Sequence, residues 1–128
     1  MAILVINSFA EPRDAEAVDV ISDRIGDLVN RARFMKTPIA HLHQKRSERA
    51  SGIRIPIGRY EPVFQTSDLQ ESLPDEFIDF VVNSSSQTIK LVGAASQEQI
   101  KRLRRLFYAA GYAAQVEPTT IVETAHSA

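Results

Sequence analysis

Ala2-Ile3-Leu4-Val5-Ile6 is an unbroken apolar run with no alternation of polar residues. A strand of this kind is covered on both faces, as in the middle of a parallel sheet. Asn7-Ser8-Phe9 leaves it at its carboxyl end, and Pro12 and Asp14 then open a helix with Asp14 as N-cap. Val18, Ile21, Ile25, Leu28, Val29 and Ala32 fall on one face at helical spacing. Arg31, Arg33 and Lys36 lie near the far end, where cations suit the macrodipole. Pro38 to His43 is a second strand. Strand, amphipathic helix and strand make a βαβ unit, whose crossover is right-handed.

The rest of the chain repeats the alternation. Val63-Phe64-Gln65 is a short strand, and Pro74-Asp75-Glu76 starts a helix that places Phe77, Phe80, Val81 and Ser84 on one face, with a strand over Phe77 to Val82 the alternative for so short an apolar run. Thr88 to Val92 is a buried strand, Gly93-Ala94-Ala95 a tight turn, and Ser96 the N-cap of a helix, with Gln99 completing a capping box. That helix buries Ile100, Leu103, Leu106, Phe107 and Ala110, turns Lys101, Arg102, Arg104 and Arg105 outward, and stops at Gly111. Tyr112 to Val116 is a further strand that Pro118 ends, and Ile121 to Thr124 pairs at an edge. This order predicts one α/β domain over residues 1–128, a three-layer α/β/α sandwich around a mainly parallel, Rossmann-like sheet. The doubly wound rule puts the 2–6 strand centrally, between the 38–43 and 89–92 strands.

Composition removes several classes of function. The chain has no cysteine, so disulfides, thiolate metal sites and a cysteine nucleophile are excluded. A net charge of −1 gives no global field toward nucleic acid or membrane. No apolar run reaches spanning length and none resembles a signal segment, so a cytoplasmic protein is expected.

Four landmarks resemble the isochorismatase-like cysteine hydrolases, the family that includes nicotinamidases. Ala2 to Asn7 is similar to the opening strand that ends in the catalytic aspartate, and Pro38 to His43 to the second strand. Glu61 to Thr66 is similar to the short strand ending in the catalytic lysine. Gly93-Ala94-Ala95-Ser96-Gln97-Glu98-Gln99-Ile100 resembles the signature that closes on the nucleophilic cysteine, and Gly111-Tyr112 matches the glycine-tyrosine that follows. The resemblance covers roughly residues 2 to 118 and implies an isochorismatase-like fold, shortened at its carboxyl end. It also implies a covalent mechanism whose three groups are missing: Asn7 stands for the aspartate, Thr66 for the lysine and Gln99 for the cysteine.

The resemblance therefore implies a non-catalytic homologue, with no catalytic residue, metal or cofactor assigned. The crevice outside the strand ends, at Asn7, His43, Thr66, Ser96 and Gln99, is the expected place for a small-molecule ligand. Asn7 and Gln99 would line it with amides, although local bonds to backbone are the commoner use of such side chains. His41 and His43 share one strand face, which leaves open a hydrolase using one of them as base, but two histidines are too few for a metal. A third reading takes the basic 45–59 loop, with Arg46, Arg49, Arg54 and Arg59, as an adaptor for nucleic acid or an acidic partner. Interspersed glutamates make nucleic acid the weaker expectation. A homodimer is expected, formed through Ile121–Val122 and the 77–82 segment, because a shortened chain would leave sheet surface uncovered.

Overall fold

The computed structural model describes residues 1–7, 12–44, 55–66, 75–84 and 87–124. These residues form β1 (Ala2–Asn7), a single 3-10 turn (Ala15–Ala17), α1 (Val18–Phe34), β2 (Ile39–Gln44) and β3 (Val63–Thr66). There follow α2 (Asp75–Asn83), β4 (Thr88–Ala95), α3 (Gln97–Ala109) and β5 (Ala113–Glu123). The five strands make one parallel sheet in the order β3-β2-β1-β4-β5. The expected placement holds, since β1 pairs with β2 on one side and β4 on the other.

Each face of the sheet has its own core. Ile3, Val5, Ile39 and Val92 pack under Ile25, Val29 and Ala32 of α1. Leu4, Ile6, Ala40, Leu42, Ile89 and Leu91 pack on the other side against Phe77 and Val81 of α2 and Leu103 and Phe107 of α3. The Phe77 ring meets Phe64 and Phe107 edge-on, each at 5.5 Å between centroids, a favoured aromatic geometry. Parallel strands covered on both faces must be apolar at every position, which is why the run at 2–6 carries no alternation.

The tertiary structure corrects the sequence reading at three places. Asp14 caps the 3-10 turn, accepting from the Glu16 amide at 3.0 Å, and α1 proper starts at Val18 without a side-chain cap. Gly93-Ala94-Ala95 is not a turn: β4 runs on to Ala95. Gly93 has φ +118°, and a Cβ there would lie 2.1 Å from the Ile6 carbonyl oxygen. The glycine is thus required by close approach of β1 within a continuing strand.

Pro118 does not end β5 either. Leu91 pairs with Val116 and Gly93 with Ile121, so residues 117–120 bulge opposite Val92 and the strand resumes. Proline is tolerated there because β5 is an edge strand and the bulge removes the need for its amide. In the segments expected to form a dimer contact, Phe77, Val81 and Val122 are buried in the chain's own core, while Val82 is exposed. The large exposed apolar side chains elsewhere include Phe34, Met35 and Tyr60.

Candidate functional site

The carboxyl ends of β1, β2 and β4 converge as a doubly wound sheet requires. Asn7 closes β1 in register with His43 of β2 and Ala94 of β4. Register partners in parallel strands point to the same face, so Asn7 and His43 are neighbours on the α1 side. Thr66 closes β3 opposite Gln44. Ser96 and Gln99 follow β4 at the start of α3.

The sequence-selected residues therefore form two groups. Asn7 and His43 meet at the rim between β1 and β2. Ser96 and Gln99 are buried and bonded to one another: the Ser96 amide donates to Gln99 Oε1 at 2.9 Å, and the Gln99 amide donates to Ser96 Oγ at 3.2 Å. Gln99 is only 2% exposed. Its carbonyl oxygen, at the position the family resemblance gives to a nucleophile, is occupied in holding the first turn of the helix.

A further hydroxyl faces this end of the sheet. Thr124, just past β5, donates its amide to the Ala95 carbonyl at 3.2 Å. It is 1% exposed, and its Oγ1 has no hydrogen-bond partner among the described residues. No sequence signal singled it out, because Thr124 reads as the last residue of a fraying edge.

A polar assembly lies deeper, on the α1 face, and joins three parts of the chain. His41 in β2 is 1% exposed and its Nε2 lies 2.7 Å from Glu61 Oε1. Arg33, in the last turn of α1, donates Nε to Glu61 Oε2 at 2.6 Å and Nη2 to Oε1 at 2.9 Å. Its Nη2 also donates to the Pro56 carbonyl, while the Gly58 amide donates to Glu61 Oε1 at 2.9 Å. Gly58 permits this: a Cβ there would stand 2.3 Å from Glu61 Oε2. Burial disfavours the Glu61 carboxylate, but hydrogen bonds from Arg33, His41 and Gly58 outweigh it and push its pKa down to about 2. An ionised carboxylate only accepts, so His41 Nε2 carries the hydrogen.

This assembly was half legible. A histidine on a covered strand needs a buried partner, and Glu61 sits just ahead of Pro62 and β3. Arg33, read as a macrodipole cation, instead spends its charge on Glu61, and the pairing raises its own pKa. His43 stands next along the strand, its ring centroid 6.5 Å from that of His41. Burial, and secondarily the charge His41 would carry, lower the His43 pKa, so His43 is a neutral imidazole at pH 7.

Among the described residues, no three histidine, aspartate or glutamate side chains converge as a metal would need. No described helix is long and apolar enough to cross a membrane. Of the basic loop, residues 45–54 lie outside the described residues, as do Pro74, Ser85 and His126. The remaining part carries Arg59, stacked 5.6 Å from the Tyr60 ring centre.

No protein-family model and no curated protein matches the sequence. Solved structures do match. The nicotinamidase from Staphylococcus aureus superposes with a TM-score of 0.73 at 14% identity, over 95% of this chain and 84% of that one. N-carbamoylsarcosine amidase from Thermoplasma acidophilum gives 0.75 at 10% identity, over 99% and 85%. An isochorismatase family protein from Desulfovibrio vulgaris gives 0.71 at 14% identity, over 94% and 80%. At such identities the likeness is one of fold, and it agrees with the resemblance carried by residues 2 to 118: the chain has the isochorismatase-like α/β fold, without a cysteine anywhere in it.

Proposed function

We propose that the protein is a non-hydrolytic member of this fold that binds a small carboxamide-like ligand at the strand ends, beside Asn7 and His43. The observation that carries the reading is Gln99: the chain has no thiol, and the residue at the signature's last position is locked in a helix cap. Asn7 carries an amide that can both donate and accept, neutral His43 one donor and one acceptor, and Thr124 a hydroxyl with no partner among the described residues. Neutral donors and acceptors suit an uncharged amide better than an ion.

A second reading rests on His43. Its lowered proton affinity and its place at the rim suit a general base, whereas His41 is buried and already bonded to Glu61. Self-association as a homodimer is proposed through exposed apolar side chains, Phe34, Met35 and Tyr60 together with Val82 of the segment first expected; sedimentation at micromolar concentration as a 14.3 kDa monomer would refute it.

The test offers nicotinamide, N-carbamoylsarcosine and isochorismate to the wild-type protein. No turnover is expected, with nicotinamide shifting the NMR signals of Asn7 and His43. Gln99→Cys alone stays inactive, because groups acting as a unit are not restored singly. Turnover by the wild-type chain that His43→Ala abolishes would replace the binding reading with the hydrolase.

A further inference from the structure

We infer that the groove between α3 and β5 is a second ligand site, separate from the strand-end crevice, for a small organic carboxylate with an apolar body. The bulge at residues 117–120 leaves a hollow of about 260 Å³ there. Its apolar lining comes from Ile100, Val116, Pro118 and Ile121, and its cations are Lys101 and Arg104. Lys101 and Arg104 stand three residues apart, hence on one helix face. Neither makes an ion pair among the described residues.

The direction of the elements separates the charges. α3 returns antiparallel to β5, so Gln97 lies beside Glu123 and Arg104 beside Val116. Glu123, the one acid lining the hollow, is thus at the opposite end from Arg104, and Arg13 pairs with it at 3.4 Å. Glu117 lines an adjoining recess together with Arg104 and is paired with Lys90 at 3.4 Å. Two cations with no ion pair among the described residues, Arg104 at the end away from Glu123 and Lys101 about a turn nearer to it, stand along an apolar wall and complement a carboxylate carrying an aryl or short alkyl body. The volume lies below the usual range of about 300–1,000 Å³ for drug-sized ligands, which limits the occupant to a fragment of one ring or a short chain.

The experiment titrates ¹⁵N-labelled full-length protein with sodium benzoate and, separately, with uncharged benzamide. Benzoate should shift the amides of Ile100, Val116 and Ile121, while benzamide binds there about tenfold more weakly or less, since a charge-assisted contact contributes about that factor. Lys101→Glu with Arg104→Glu should weaken benzoate by about tenfold or more. Both side chains are exposed; Lys101→Gln with Arg104→Gln serves if the charge-reversed chain does not fold, and it should weaken benzoate in the same direction. Absence of shifts, an equal response to benzamide, or an unchanged affinity in the folded variant overturns the inference. Benzoate shifts confined to Asn7 and His43 overturn it too, by sending the carboxylate to the crevice and leaving the proposed amide site untouched.

Discussion

Glu61→Gln tests whether the buried Arg33–Glu61–His41 assembly holds the β3 side of the molecule to α1. The carboxylate accepts four hydrogen bonds, from two nitrogens of Arg33, from His41 and from Gly58. A glutamine of the same shape carries one accepting oxygen and turns an NH2 toward donors, so at least one buried N–H loses its acceptor and Arg33 loses its counter-charge. Glu61 is 12% exposed, His41 1% and Arg33 29%. Holding the carboxyl at about 2, at about 1.4 kcal/mol for each tenfold change in proton affinity, corresponds to about 3 kcal/mol of stability at pH 7. Removing one member of a buried pair costs about 3–5 kcal/mol, and water reaching Arg33 favours the lower end.

The assay is urea unfolding at several pH values, where a loss of about 3 kcal/mol lowers the midpoint by about 2 M. The sign follows from the lowered carboxyl. Wild-type stability from this group is fully present above the ordinary carboxylate value and is lost as pH falls toward about 2. The difference between wild type and variant should thus be constant from pH 7 to about 5 and shrink below that. A variant within about 0.5 kcal/mol of wild type at pH 7, the range of an ordinary surface substitution, refutes the reasoning, as does a difference independent of pH.

Gly93→Ala should cost more than about 3 kcal/mol or prevent folding, since the new Cβ meets the Ile6 backbone at a positive φ; thermal unfolding measures it, and a loss near zero would mean β1 and β4 can separate. Ser96→Ala should cost about 1–2 kcal/mol by orphaning the Gln99 amide in a buried cap, read from denaturant unfolding, and Ser96→Thr should restore most of it. By NMR, His43 should titrate below the ordinary 6.5. The unfolded chain then takes up the proton first, so stability declines as pH falls below that value, and His43→Gln should flatten the decline; a midpoint above 6.5 contradicts the burial argument.

Alternation of apolar strands with amphipathic helices determined the fold class from the sequence. Residues 2–6 have no polar position, so they needed cover on both sides, and the helix face from Val18 to Ala32 supplied one cover. The capping box at Ser96 and Gln99 was legible for the same kind of reason, because both bonds lie within four residues of chain. What escaped depended on residues distant in sequence. Gly93 reads as a turn until β1 is laid against it, since the clash that requires glycine is with Ile6. Pro118 reads as a strand end until pairing shows that β5 resumes at Ile121 opposite Gly93. Arg33, His41 and Glu61 each have a sufficient local explanation, as helix-end cation, strand residue and loop acid. Only the packing of α1 over β2 and the approach to β3 brings their side-chain nitrogens and oxygens within 3 Å, and a polar group finds its partner by distance in space, which sequence spacing does not encode.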